Sequence, residues 1–186
     1  FNLTTNGASD IFIQKLDANG NFLWAKNMGS TGSDTGWSIT TDVLGNVYAT
    51  GSFQNTVDFD PGAGTFNLTT NGASDIFIQK LDATGNFIWA KSMGGTGIWD
   101  TGFSITTDAS GNVYTTGSFQ NTADFDPGSG TFNLTSNDDD DIFILKLGQC
   151  PSSGSATETA CDSYTAPDGM IYTTTGMYTA IIPNAA

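Results

Sequence analysis

Histidine and arginine are absent from this sequence of 186 residues, and glutamate occurs once, at Glu158. Five lysines stand against nineteen acidic residues, so the formal net charge is −14 at pH 7. A chain of this charge lacks the basic surface that binding to nucleic-acid phosphates requires. The absence of histidine also removes the commonest general base and metal ligand, which disfavours most catalytic and metal sites.

Long apolar segments and helix-forming residues are also scarce. No apolar run approaches the roughly 18 residues of a membrane span. The first residues, Phe-Asn-Leu-Thr, carry neither the basic nor the apolar region of a signal peptide. Thr, Val, Ile and aromatic residues, together with Gly and Asn, predict strands joined by tight turns. We therefore expect an all-β, acidic, secreted protein that binds no nucleic acid.

One internal repeat dominates the chain. Residues 1–18 recur unchanged at 66–83, and a more divergent copy returns at 132–147. Residues 1–65 and 66–131 are identical at 54 of 65 aligned positions, with one residue inserted near Ile98-Trp99. Such similarity indicates recent duplication of one structural unit of 65–66 residues, of which the chain holds about two and a quarter.

Each repeated unit contains four strand-like runs. The runs of one unit are 37–41, 46–53, 75–81 and 86–91. The turns between them share the pattern Asp-x-x-Gly-Asn, in which Asp caps the turn and Gly supplies a positive φ. The longer stretch between the second and third strands predicts a small extra hairpin. Four antiparallel strands in each repeat predict a blade of a β-propeller, whereas the long period disfavours the alternative, a linear β-solenoid.

The repeat sets the predicted domain boundaries. Residues 1–32 form a partial unit, 33–97 a complete unit and 98–147 a second partial unit, which gives nine main strands. A propeller of four or more four-stranded blades needs at least ~16 strands, so nine do not close a ring. Either the chain is a fragment of a longer protein or several copies complete one ring. The start inside a unit favours the fragment.

Three motifs carry a resemblance to a known repeat family. They are Gly45–Gly51 (GNVYATG), Thr56–Gly62 (TVDFDPG) and Ser74–Asp82 (SDIFIQKLD). They resemble the SBBP-type β-propeller repeat, which is typical of large secreted surface proteins of Bacteroidetes-like bacteria. The resemblance covers residues 1–147 and implies export by the type IX route and an extracellular or cell-surface location. It implies no shared catalytic residues.

The composition changes after Leu147. Residues 148–159 read as a linker, and residues 160–186 resemble the start of a small Cys-Asp-Ser-Tyr adhesin-type module, which implies part of a β-sandwich. Cys150 and Cys161 lie 11 positions apart, and two cysteines in a secreted protein predict a disulfide. They pair with each other, or Cys161 pairs with a further cysteine that the resemblance implies for its module. Their spacing fits no zinc site.

Two groups of aspartates are candidate calcium ligands. The Asp-Phe-Asp-Pro-Gly motif places carboxylates at i and i+2 in both units, and closely spaced aspartates in loops can bind Ca²⁺. The alternative is that the second Asp caps the Pro-Gly turn and the first is solvated. The other group is a run of four aspartates, for which a solvated loop is the alternative. The candidates are Asp58, Asp60, Asp124, Asp126, Asp139 and Asp141.

One aromatic residue stands out as a candidate ligand contact. Trp99 and its neighbour Ile98 lie at the insertion, where the repeat is broken, so we expect an exposed loop. The other tryptophans recur in the next unit or become phenylalanine there, which predicts packing between blades or in the core. They are Trp24, Trp89 and Trp37.

The sequence predicts a structural role rather than catalysis. Two carboxylates suffice for a glycosidase, but these aspartates repeat with the unit and lie in turn patterns. We therefore expect a non-catalytic structural or adhesin segment that acts as spacer, display platform or unit of an extracellular filament. Its partners are further repeats and domains of the same polypeptide, or other copies of the chain. The alternative is a calcium-stabilised module that binds glycan or protein through Ile98, Trp99 and residues 138–140.

Overall fold

A computed structural model describes residues 1–148 and the backbone of four two-residue strands beyond them, and the described part is all-β with no helix. Unit 1 (1–32), unit 2 (33–97) and unit 3 (98–147) contain the first thirteen strands. They are β1 (Ile11–Leu16), β2 (Phe22–Met28), β3 (Thr35–Thr41), β4 (Val47–Phe53), β5 (Thr56–Asp58), β6 (Asn67–Thr69), β7 (Asp75–Leu81), β8 (Phe87–Gly95), β9 (Thr101–Thr107), β10 (Val113–Phe119), β11 (Thr122–Asp124), β12 (Asn133–Thr135) and β13 (Asp141–Leu147).

The last four strands are β14 (Glu158–Thr159), β15 (Tyr164–Thr165), β16 (Ile171–Tyr172) and β17 (Met177–Tyr178). They pair antiparallel as β14 with β17 and β15 with β16. Apart from these pairs, the predicted linker and adhesin-type module lie outside the described residues. The predicted disulfide between Cys150 and Cys161 also lies outside them.

Unit 2 forms a four-stranded antiparallel sheet in the order β3-β4-β7-β8. All four strand runs predicted for this unit are confirmed, and β8 continues four residues beyond its predicted end. Unit 1 contributes the pair β1-β2, and unit 3 contributes the order β9-β10-β13. Within the described residues, the nine predicted main strands are therefore all present.

The predicted extra hairpin is present in both units, and in unit 3 it joins the sheet of the preceding unit. Strands β5 and β6 form it in unit 2, and β11 and β12 form it in unit 3. In addition, β11 pairs with β8 of the preceding unit through Ala123↔Gly95 and Asp124↔Gly94. A Cβ atom at Gly95 would collide with the carbonyl oxygen of Thr122, so glycine permits this close approach. Unit 3 thereby adds two strands to the sheet of unit 2.

The Asp-x-x-Gly-Asn turns have the predicted geometry. In one of them, Asp82 Oδ1 accepts hydrogen bonds from the backbone N–H groups of Thr84 and Asn86, at 2.8 and 2.9 Å. Gly85 has φ 84°, a left-handed conformation that glycine adopts at low cost. The hydrogen bonds from Asn86 and Thr84 hold the pKa of Asp82 well below its usual range. Each turn therefore favours an ionised aspartate.

Two apolar clusters lie between successive units and form the core. In the first, Ile11 and Ile13 of unit 1 share a cluster with three phenylalanines of unit 2, which are Phe53, Phe59 and Phe77. In the second, Ile76 and Ile78 of unit 2 share a cluster with the equivalent phenylalanines of unit 3, Phe119, Phe125 and Phe143. The centroids of adjacent rings in these triads lie 5.0–5.3 Å apart. In both clusters, the sheet face of one unit that carries the isoleucines packs against the sheet face of the next unit that carries the phenylalanines.

Candidate interaction surfaces

The first strands of units 2 and 3 lie side by side at the unit boundary. Ile105 in β9 donates its backbone N–H to Ser38 Oγ in β3 at 3.2 Å. The hydroxyl of Thr107 donates to the backbone oxygen of Thr41 at 3.3 Å. These bonds satisfy polar groups on an edge of β9 that has no strand partner in the described part of the chain. The interface therefore combines a buried apolar face with polar contacts along its margin.

Equivalent residues of the three units differ sharply in exposure. Ile76 and Ile78 in β7 are fully buried, whereas Ile142 and Ile144 in β13 are 82% and 80% exposed. The phenylalanine between these two isoleucines lies on the opposite face of the strand. It is fully buried in β7 (Phe77), whereas its equivalent in β1, Phe12, is 67% exposed. Local sequence does not cause this difference, because the residue types are identical. It follows from whether a neighbouring unit covers the face.

The two strands equivalent to β7 each have a free edge within the described residues. In unit 2, β7 pairs with β4 on one side and with β8 on the other. The equivalent strand β1 pairs only with β2, and β13 pairs only with β10. A groove of about 540 Å³ beside β1 is lined by residues 11–14 of that strand, by residues 36–39 and by Ala49. Within the described part, β1 and β13 therefore each have one strand edge without a partner and one exposed apolar face.

The aspartates of the Asp-Phe-Asp-Pro-Gly motif organise their own loop. Asp58 Oδ1 accepts hydrogen bonds from the backbone N–H groups of Asp60 and Phe66, at 3.0 and 2.8 Å. Asp60 Oδ1 accepts the N–H of Gly62 at 2.8 Å, so its turn-capping role is confirmed. Asp58 is not merely solvated, which corrects that part of the interpretation. The same bonds recur at Asp124 and Asp126 in unit 3.

The run of aspartates at residues 138–141 is largely exposed. Asp141 Oδ2 accepts hydrogen bonds from the backbone N–H and side-chain amide of Asn137, both at 3.1 Å. Asp140 Oδ1 accepts the amide of Gln120 at 2.9 Å, whereas Asp139 is simply exposed. Among the described residues, no three acidic or cysteine side chains converge as a metal site. Calcium binding therefore stays a prediction for both groups.

Buried aspartates near the unit boundaries are a feature that sequence reasoning missed. Asp100 is fully buried, and its two carboxylate oxygens accept the backbone N–H groups of Gly95 and Gln120, both at 2.9 Å. Asp75 is 1% exposed, and its Oδ2 accepts the N–H of Asn71 while its Oδ1 has no hydrogen-bond partner. Burial raises the pKa of Asp75 to about 6, and the nearby charge of Asp100 adds to the rise. Asp75 and Asp100 correspond to Asp10 and Asp34 in the preceding copy of the repeat. This recurrence was the sequence signal that could have identified them.

The tryptophans divide into packed and exposed groups. Trp24 and Trp89 pack against the two inter-unit clusters, which confirms their predicted role. Ile98 and Trp99 are 57% and 56% exposed, so the exposed loop predicted at the insertion is also confirmed.

The prediction that Trp37 belongs to the core is wrong. A shift in the β3–β4 register between Gly36 and Ser38 leaves Trp37 outside the regular pairing, and a bulge of this kind re-aims its side chain. Trp37 is 56% exposed, and its ring meets that of Phe103 edge-on at 6.0 Å.

Comparisons with known proteins indicate a repeat protein. No family model matches the chain. It is 31% identical to a WD repeat-containing protein of Acanthamoeba polyphaga mimivirus in an alignment of 164 residues that covers 77% of this chain and 11% of that protein. It is 28% identical to the regulatory protein FlaEY of Caulobacter vibrioides over 89 residues, 48% of this chain and 9% of that protein. The chain thus spans about a tenth of the length of these curated relatives. In the described residues, no helix is long and apolar enough to cross a membrane.

Proposed function

We propose that residues 1–147 are blades of a β-propeller in a non-catalytic structural segment of a large secreted or cell-surface bacterial protein. The segment acts as a spacer, a display platform or an assembly unit. The observation that carries this proposal is that Ile76 and Ile78 are buried by the next unit while their counterparts Ile142 and Ile144 are exposed. Units that bury their apolar faces on one another are the principle of repeat architectures.

The sheet geometry and the relatives support the propeller. Unit 2 is a four-stranded antiparallel sheet whose faces pack against units 1 and 3, as a blade does. WD repeats are a propeller repeat of four strands per blade, and a WD repeat-containing protein is among the similar proteins. The observed part supplies one complete blade and parts of two others.

A structural role also accounts for the recurring carboxylates. Asp34 binds the backbone N–H groups of Ser30 and Gln54, and Asp100 repeats this pattern one unit later. These carboxylates hold loop backbone in place instead of facing a shared substrate cleft. Catalytic pairs of carboxylates need a cleft between them. The net charge of −14 on the whole chain gives it a hydrated surface, which suits a part that must stay soluble.

A second candidate function is recognition of a glycan or protein by the loops. Gln120 connects two non-repeating loops, because its backbone N–H binds Asp100 beside Trp99 and its side-chain amide binds Asp140. This arrangement brings the loop of Ile98 and Trp99 toward residues 138–141, which fits the shared surface expected of a binding module. An exposed tryptophan is suited to stacking on a sugar ring or to anchoring a protein contact.

A glycan-array screen separates the two functions. The protein is labelled and applied with and without Ca²⁺, alongside Trp99→Ala and the matched variant Trp37→Ala, which removes an equally exposed tryptophan outside the inserted loop. The structural role predicts no saturable binding by any of the three proteins. Saturable binding that is lost in Trp99→Ala and kept in Trp37→Ala would contradict it for glycans and support the recognition module.

A further inference from the structure

Two loops that depart from the repeat adjoin each other at the boundary between units 2 and 3. The loop before β9 contains the insertion at Ile98 and Trp99, and the loop before β13 has aspartates at 138–140 where the preceding copy has Gly-Ala-Ser. Residues that only pack one unit on the next are expected to repeat with the unit. Adjoining departures from the repeat therefore indicate a contact with something other than a neighbouring unit.

The strand order and one glutamine bring these loops together. Strand β10 ends between the starts of β9 and β13. Gln120, the next residue after β10, donates its backbone N–H to Asp100 Oδ1 and its side-chain amide to Asp140 Oδ1, both at 2.9 Å. Burial raises the pKa of Asp100, and the negative charge of Asp140 adds to the rise. Because Asp100 directly follows Trp99, the charge of the aspartate run reaches the inserted loop.

The exposure of this region does not depend on where the sequence begins or ends. Units 2 and 3 are both present at this boundary, yet Ile98 and Trp99 remain more than half exposed. Asp139 corresponds to Ala73 of unit 2, which is exposed although unit 2 packs against a neighbour on each side. We call the region formed by Ile98, Trp99 and residues 138–140 the boundary surface.

We infer that the boundary surface binds an arginine-containing basic segment of a partner protein. The inference rests on the recognition function proposed above, since it names the class of partner for that surface. The face of a tryptophan ring attracts a cation more strongly than any other aromatic side chain does. Arginine suits Trp99 and the adjoining carboxylates together, because its planar guanidinium stacks on rings and donates paired hydrogen bonds to a carboxylate. Ile98 offers an apolar contact to a residue beside the arginine.

The charge of the protein favours the same partner. The chain already places cations over aromatic rings, since Lys80 Nζ lies 5.0 Å from the ring centroid of Tyr48 and Lys146 Nζ lies 5.4 Å from that of Tyr114. A net charge of −14 attracts a basic segment and repels an anionic one. Salt screens this attraction, because the Debye length falls from about 30 Å at 0.01 M to about 10 Å at 0.1 M. Binding is therefore expected to weaken as ionic strength rises.

Fluorescence anisotropy of a labelled peptide tests the inference on the 186-residue protein. The probe is fluorescein-labelled Gly-Leu-Arg-Ser-Arg-Leu-Gly, and the matched peptide carries citrulline, the uncharged analogue of arginine, at both arginine positions. We expect saturable binding of the arginine peptide that is tighter at low salt, and much weaker binding of the citrulline peptide. This comparison needs no change to the protein, so it does not depend on the folding of a variant.

A pair of tryptophan variants locates the contact. Trp99→Ala should weaken binding of the arginine peptide about two- to fivefold, which is the loss expected for a cation–π contact at an exposed site. Trp37→Ala is the matched control, because it removes an equally exposed tryptophan away from the boundary surface, and it should leave the affinity unchanged. Circular dichroism checks that both variants are folded.

A pair of charge variants separates this site from general attraction to an acidic protein. Asp138→Asn/Asp139→Asn removes two negative charges from the boundary surface. Val43→Lys/Leu44→Lys changes the net charge by the same amount in the exposed turn between β3 and β4. The aspartate variant should weaken binding more than the lysine variant does. Equal weakening would overturn the inference, because net charge alone would then account for the binding.

Three further results would also overturn it. They are the absence of saturable binding of the arginine peptide at low salt, equal binding of the citrulline peptide, and binding that Trp99→Ala leaves unchanged. None of them alters the result of the glycan-array screen, which tests the structural role against recognition of sugars. Failure of the basic-peptide contact and failure of the proposed function are therefore distinguishable.

Discussion

Ile76 and Ile142 occupy the same position in successive units, yet Ile76 is fully buried and Ile142 is 82% exposed. The flanking residues are also alike, since each isoleucine follows an aspartate and precedes Phe-Ile. The contrast therefore measures the contribution of one neighbouring unit to the burial of another. The same substitution can therefore be compared at two equivalent positions, one buried by a neighbouring unit and one exposed.

The first prediction compares Ile78→Ala with Ile144→Ala. Ile78 is fully buried against unit 3, so its truncation should lower the free energy of unfolding by about 2–5 kcal/mol. Ile144 is 80% exposed, and its truncation should change that free energy by less than about 0.5 kcal/mol. Urea-induced unfolding, followed by tryptophan fluorescence at a concentration where the protein is monomeric, measures both. Equal losses in the two variants would contradict the inter-unit interface described above.

The second prediction concerns the pH dependence that Asp75 confers. The carboxyl of Asp75 has a pKa of about 6 in the folded protein, against about 3.9 in an unfolded chain. Between these values the folded state holds a proton that the unfolded state releases, so stability should fall as pH rises from about 4 to about 6. Asp75→Asn removes this titration and should reduce the slope of melting temperature against pH, whatever its effect on the melting temperature itself.

The control for this titration is Asp139→Asn, which alters an exposed residue of the same type. It should keep the slope of the unmodified protein. Burial also raises the pKa of Asp100. Because Asp100 is unchanged in Asp75→Asn, this variant should keep part of the slope of melting temperature against pH. An unchanged slope in Asp75→Asn would show that burial of this carboxyl does not govern the dependence.

The third prediction concerns the turn that Asp82 caps. Asp82→Ala removes the acceptor of several hydrogen bonds within residues 82–86 and should lower the melting temperature at pH 7 by a few degrees. Because the pKa of Asp82 is lowered in the folded state, its contribution is present above about pH 4 and is lost as pH falls. The difference between variant and unmodified protein should therefore shrink in acid. Asp139→Ala, at an exposed position, should not change the melting temperature at either pH.

The fourth prediction addresses calcium. The Oδ1 atoms of Asp58 and Asp60 already accept backbone N–H groups, which stabilises the loop without a cation. Turn capping without a cation, the alternative to calcium binding, predicts that the melting temperature stays the same when Ca²⁺ is added and when EGTA removes it. Mg²⁺ serves as the control for nonspecific screening of charge. A rise that Ca²⁺ alone produces, and that Asp60→Asn abolishes, would instead establish these aspartates as ligands.

The repeat, the strand runs and the turns could be predicted from the sequence because their causes are local. Alternating and β-branched residues define the strands, and Asp-x-x-Gly-Asn defines the turns through one side chain and one left-handed glycine. The extra hairpin could also be anticipated, since it occupies an otherwise unassigned stretch between two strands. Its pairing with β8 of the preceding unit could not, because that contact joins residues of different units.

The errors at Trp37 and Asp58 have related physical causes. Trp37 looked like a core residue because an aromatic residue recurs at its position, but a register shift re-aims the side chain. Asp58 looked solvated, although it accepts the N–H of Asp60 two residues on and that of Phe66 eight residues away across the loop. Only the second of these contacts is hidden from the local pattern. In both cases the error lay in the environment predicted for the side chain, because that environment depends on backbone geometry that the sequence pattern does not encode.

The sequence by itself determined the all-β character, the 65–66-residue period and the acidic surface, since composition and local pattern govern all three. Only the tertiary structure decided which copies of identical residues are covered and which are open. The reason is that burial depends on neighbours: Ile-Phe-Ile is the same in β1, β7 and β13, and its environment is set by the units packed on either side.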